Sequence, residues 1–113
     1  MIDTPLPPDE GWVRLASLDR LPCGRAVQVD IDGQQVALFH TEGGLRAIDG
    51  LCPHLGGELS DGAFDGAEVT CPRHAWRYDL RTGQRQDREG QPVHVYSTRI
   101  VDDWIWLAVP ERR

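Results

Sequence analysis

The stretch AVQVDIDGQQVALFHTEGGLRAIDG, residues 26–50, decides the fold class. Asp32-Gly33 separates two runs rich in Val, Ile and Phe, and an Asp-Gly step between such runs is a strong signal for a two-residue hairpin. Gly43-Gly44 marks a second turn, after which apolar residues resume at Leu45. Strands are expected at residues 26–31, 36–40 and 45–48. Working outward, further short segments rich in β-branched and aromatic residues fall at 12–15, 67–70, 76–78, 93–96 and 104–109. The steps between them are Asp65-Gly66, a second hairpin signal, then Arg81-Thr82-Gly83, Glu89-Gly90 and Asp102-Asp103. Many short strands at this spacing indicate an all-β, antiparallel sandwich or barrel-like fold. One short helical turn is expected around residues 16–21. The Pro-rich segment 1–10 is expected to wrap over the domain or fray.

At 113 residues the chain reads as a single domain with a modest core. Its formal net charge of −6 argues against nucleic acid and anionic membranes as partners. No run approaches the about 20 apolar residues of a membrane-spanning helix. The first residues carry no basic, apolar leader. A cytoplasmic, reducing location is expected, so three cysteines do not suggest a disulfide framework. Cys23 stands apart from any histidine and reads as a small buried or loop residue.

Directly after the third strand comes LCPHLGGELSDGAFDGAEVTCPRHAW, residues 51–76. It holds Cys52-x-His54, then sixteen residues, then Cys71-x-x-His74. Each pair sits beside a proline on a loop that follows a strand, and two loops at one end of a β unit can converge. Thiolate and imidazole together suit zinc, iron–sulfur or copper, and the set has no spare carboxylate for magnesium or calcium. Structural zinc usually draws pairs of a single type, whereas here each pair is mixed. A mixed pair makes sense if the sulfurs serve one metal and the nitrogens another.

At these residues the sequence resembles the Rieske family, whose pattern is C-x-H, a spacer, then C-x-x-H. The continuation AWRYDLRTG after His74 is similar to that family's as well. The resemblance implies a Rieske-type sandwich with a small cluster-binding subdomain at residues 50–80. It implies one 2Fe–2S cluster, with Cys52 and Cys71 on one iron and His54 and His74 on the other. Two thiolates rather than four make the oxidised centre less negative, which raises the potential. Around the ligands, Tyr78 matches the family's tyrosine that donates to a ligand sulfur. Gly56, with Gly57, would let the backbone approach the cluster.

The chain departs from the high-potential members in two places. Gly57 and Arg73 stand where those members place a disulfide, and Trp76 stands where they place a serine that donates to sulfide. Fewer donors imply a potential at the low end of the range, roughly −150 mV. Pro92 could belong to the family's third covering loop. His40 and His94 read as core or surface histidines, and Trp12, Trp104 and Trp106 as packing residues.

The function implied is that of a soluble ferredoxin, not an enzyme by itself. It would carry one electron from a flavoprotein reductase to a terminal oxygenase. It would act as a monomer and dock transiently at a His54/His74 tip that includes Pro53, Leu55, Arg73 and Ala75. Two alternatives stay open: a Rieske small subunit of a larger oxidoreductase such as assimilatory nitrite reductase, and a structural zinc module.

Overall fold

The computed structural model describes residues 12–31, 33–52, 57–72 and 76–108. Their strands are β1 (Trp12–Ser17), β2 (Ala26–Ile31), β3 (Gln34–Thr41), β4 (Gly44–Asp49) and β5 (Ala63–Phe64). These are followed by β6 (Glu68–Thr70), β7 (Arg77–Asp79), β8 (Val95–Tyr96), β9 (Thr98–Val101) and β10 (Trp104–Ala108). They form three antiparallel sheets, ordered β1-β10-β9, β2-β3-β4-β8 and β5-β6-β7.

The hairpin at residues 26–41 has the expected register, because Ile31 pairs with Gln34 and leaves two residues between them. Gly33 adopts φ +85°, a conformation that costs glycine nothing, and its N–H donates to Asp30 Oδ1 at 2.8 Å. The Asp65-Gly66 turn is wider than expected. Phe64 pairs with Val69, and Asp65 Oδ1 fills the turn by accepting the N–H groups of Ala67 and Glu68. Those hydrogen bonds hold the Asp65 carboxyl below its ordinary range.

Other boundaries moved. The expected helical turn is a single 3-10 turn, Leu18–Arg20, because β1 runs on to Ser17. Two strands were not expected, β5 and β9. The first is only two residues long, and the second, TRIV, pairs with β10 through a turn in which Asp102 and Asp103 both take positive φ. The expected strand at 93–96 shortens to β8, and Val109 lies outside the described residues, as does the segment 1–10.

β3 organises the interior. Its run Val36-Ala37-Leu38-Phe39 is buried on both faces, as a strand covered on two sides must be. Val36 and Leu38 point into one core with Leu45, Ala47, Ile105 and Leu107, beneath the β1-β10-β9 sheet. Ala37 and Phe39 point the other way, into a core with Ile48, Leu59, Val69, Tyr78, Leu80 and Val93. That second core also contains Cys52 and Cys71. Phe39 meets Phe64 of β5 edge to face at 4.9 Å, tying the small sheet to the large one.

The tryptophans read as packing residues do pack, but on the outside. Val13 and Leu107 pair with each other and face the core, so the neighbouring pair Arg14 and Trp106 faces away. Arg14 stacks over Trp104 at 4.4 Å and Arg99 over Trp12 at 4.9 Å. Each arginine covers an outward-facing indole. Among the described residues, no helix is long and apolar enough to cross a membrane.

Candidate metal centre

The two cysteines sit at equivalent places in two hairpin loops. Cys52 N–H donates to Gly57 O at 2.8 Å, and Cys71 N–H donates to Trp76 O at 2.7 Å. One step outside each bond the chain is paired again, Leu51 with Glu58 and Thr70 with Arg77. The mirrored motif of the sequence thus becomes a repeated structure: a bridged residue, a cysteine that bonds to the residue five positions on, and the residue that completes the bridge. The backbone polar groups at each loop base are satisfied by the loop itself, so the cysteine side chains can be buried without stranding them.

Both cysteines are 2% exposed. Their shared neighbour is Tyr78, which pairs with Val69 across the small sheet and is fully buried. Its hydroxyl lies 3.7 Å from Cys52 Sγ. Burial first, and then the hydrogen bond to Cys52, push the hydroxyl well above the ordinary tyrosine range. It therefore stays protonated, and a phenol beside a metal-bound thiolate can act only as the donor.

This arrangement fits an iron–sulfur ligand pair. Two buried sulfurs at matched loop bases, one of them facing a protonated hydroxyl, provide soft donors with part of their charge already stabilised. Small residues are required nearby. An ideal Cβ on Gly62 would stand 2.0 Å from Thr70 O, one residue before Cys71.

The remaining site residues fall as follows. Cys52, Cys71, Tyr78 and Trp76 are brought to the small sheet and its core. His54, His74 and Gly56 lie outside the described residues, as do Pro53, Leu55, Arg73 and Ala75. Cys23 is exposed on the turn before β2. His40 is half-buried, with Nδ1–H donating to Leu21 O at 2.6 Å, and His94 is exposed. Pro92 is exposed and lines a surface pocket with Leu51, the residue before Cys52. The following residue, Val93, enters the cysteine core, where its carbonyl meets Gly83 so closely that a Cβ there would stand 2.0 Å away.

Sequence reasoning missed Arg85. Its guanidinium lies over the Trp76 ring, 3.4 Å from the centroid, and forms a two-point pair with Asp87. No motif marks it; only the pairing of residues 84–86 alongside β7 brings it there.

One consequence of the tyrosine geometry can be measured directly. Tyr78→Phe is expected to keep the cluster while lowering its reduction potential, since a donor to sulfur favours the electron-rich state. Losing one such bond is worth on the order of 1 kcal/mol, roughly 40 mV for one electron. Protein-film voltammetry reads the shift, and an unchanged or higher potential would remove Tyr78 from this role.

Comparison with known proteins agrees with this geometry. The family described as Rieske [2Fe-2S] domain matches residues 11–98. The ferredoxin component of the naphthalene 1,2-dioxygenase/salicylate 5-hydroxylase systems of Ralstonia sp is 35% identical, over 81% of this chain and 94% of that protein. Among solved structures, the ferredoxin of carbazole 1,9a-dioxygenase from Nocardioides aromaticivorans IC177 superposes with a TM-score of 0.82 at 32% identity. That match covers 89% of this chain and 100% of the ferredoxin. A putative NADH-dependent nitrite reductase small subunit from Mycobacterium tuberculosis superposes with a TM-score of 0.81 at 30% identity, covering 89% and 96%. The matched family selects a single 2Fe–2S cluster over structural zinc, and the all-β fold is that of the ferredoxins. The paired cysteine loops, the buried tyrosine facing Cys52 and a family match over most of the chain lead to one conclusion: this protein belongs to the Rieske [2Fe-2S] domain family.

Proposed function

We propose that this chain is the ferredoxin component of a multicomponent oxygenase system, carrying one electron at a time to a terminal oxygenase. The single observation that carries the reading is the pair of matched loops holding buried Cys52 and Cys71, in a chain that spans nearly the full length of ferredoxin relatives. Cys52 and Cys71 would hold one iron and His54 and His74 the other. When bound, the cluster supplies a one-electron couple. The protein's own residues do the rest. The loop-base hydrogen bonds fix the two sulfurs, the core of Leu59, Val69 and Leu80 keeps water from them, and Tyr78 holds its proton at the hydroxyl facing Cys52.

The electron donor in this reading is a flavoprotein reductase. Both partners dock in turn, transiently, at the loop tips that carry His54 and His74. The protein works as a cytoplasmic monomer and leaves the oxidation of substrate to the oxygenase. The wild-type potential is placed near the low end of the family's range, roughly −150 mV.

The test is reconstitution. The purified protein, a flavin reductase with NADH, and an aromatic-ring dioxygenase are combined, and product is measured with and without this chain. Product that depends on the chain supports the carrier reading; equal turnover without it rejects that reading. The similarity to the nitrite reductase small subunit favours a second reading, a fixed subunit of a larger reductase. Size-exclusion chromatography of native extract separates the two, because a subunit co-elutes with its enzyme and a carrier does not.

A further inference from the structure

Arg85 belongs to a short segment that runs antiparallel to β7. Asp79 N–H donates to Gln84 O, Gln86 N–H donates to Arg77 O, and Arg85 is bridged directly to Tyr78. Residues paired across a sheet present their side chains to the same face, so Arg85 shares the face on which Tyr78 reaches Cys52. Trp76, two residues before Tyr78, falls on that face by the same alternation. The Arg85 guanidinium covers it, 3.4 Å from the ring centroid, and the Arg85 side chain is only 6% exposed. Trp76 is also the residue whose carbonyl receives the Cys71 N–H.

The charge is partly balanced. Asp87 accepts from Arg85 Nε and Nη2 at 2.9 Å each, and its Oδ1 also accepts the Arg77 N–H at 3.1 Å. The hydrogen bonds from Arg85 hold the Asp87 carboxyl well below the ordinary carboxylate range, so it is ionised at neutral pH. The turn at Gly90 closes over the arginine, where an ideal Cβ would stand 3.0 Å from Cδ and Nη1. Arg85 is bridged to the same Tyr78 whose hydroxyl lies 3.7 Å from Cys52 Sγ, so its charge sits one side chain away from a buried sulfur. A cation this well covered is screened far less by salt than one on an open surface.

We propose that Arg85 is a positioning and potential-setting residue: stacked on Trp76 and opposed by Asp87, it clamps the second cysteine loop and favours the reduced cluster electrostatically. The proposal rests on the carrier reading above. It assigns to Arg85 and Asp87 opposite effects on one equilibrium, which a purely structural role does not do.

The test is voltammetry of holoprotein for Arg85→Gln, Arg85→Lys and Asp87→Asn. Arg85→Gln is expected to lower the equilibrium constant for reduction about threefold, about 28 mV at 59 mV per decade. Asp87→Asn keeps the shape and removes the opposing charge, so it is expected to raise the constant by a similar factor. Arg85→Lys retains the charge and is expected to stay closer to wild type than Arg85→Gln. Opposite shifts for the Gln and Asn variants support the assignment. Shifts of the same sign, or none in variants that keep the wild-type visible spectrum, overturn it. If Arg85→Gln takes up no cluster, the sign of the Asp87→Asn shift decides alone. A wild-type protein without a 2Fe–2S spectrum would instead reject the carrier reading itself, and this proposal with it.

Discussion

Cys52→Ala and Cys71→Ala are each expected to abolish the visible 2Fe–2S spectrum, while Cys23→Ala leaves it unchanged. Each of the first two removes one of two sulfurs that the fold buries at equivalent loop bases. Cys23 is exposed on the turn before β2 and belongs to neither core. A buried alanine offers the iron no replacement ligand, and water has little access to substitute. His54→Ala and His74→Ala are expected to destroy the chromophore or alter it grossly. Absorbance and EPR of the reduced protein measure all five variants. A wild-type spectrum in the Cys52 or Cys71 variant would disprove the ligand assignment.

The second large effect concerns space rather than ligands. Gly62→Ala and Gly83→Ala each place a methyl group 2.0 Å from a backbone oxygen, Thr70 O in one case and Val93 O in the other. Neither contact can be relieved by rotating a side chain, because the obstacle is main chain. At Gly83 the φ of +79° adds strain for any L-residue. The backbone must move, and it moves at points that fix Cys71 and the Val93 segment over the cysteine core. A loss of about 3 kcal/mol or more is expected from each, against a few tenths for Gly66→Ala, which meets nothing within 4 Å. Urea denaturation of the holoprotein measures the difference. Equal stabilities for the Gly83 and Gly66 variants would refute the close approach.

The all-β class, the central hairpins and the pairing of Cys52 with Cys71 in one core were legible in the sequence because each has a local signature. Asp32-Gly33 signals a two-residue turn between apolar runs and the structure has that register, whereas the same step at Asp65-Gly66 widens because the Asp65 carboxylate takes up the N–H groups of Ala67 and Glu68. The paired Cys/His motif is informative because its spacing is unusual, whatever surrounds it. β5 and β9 were not legible for a physical reason. Ala63-Phe64 and Thr98–Val101 become strands because neighbours in space offer them hydrogen-bonding edges, and a two-residue strand has no period to read. The stack of Arg85 on Trp76 was hidden for the same reason, since it depends on a pairing settled only when the chain folds back along β7. The packing role of the tryptophans was legible, but not their outward face, because aromatic content alone does not reveal which side of a strand an indole occupies.

The two-sided burial of β3 limits how this metal site could be moved into another protein. The hairpins that carry the sulfurs do not own their floor: Ala37, Phe39 and Ile48 supply it from the larger sheet, and Val93 closes it from a third segment. A cassette cut at residues 50 and 80 would leave that apolar surface behind and expose its own. A recipient scaffold would have to bring a strand with bulk on both sides, one side to anchor the graft and the other to hold the host together.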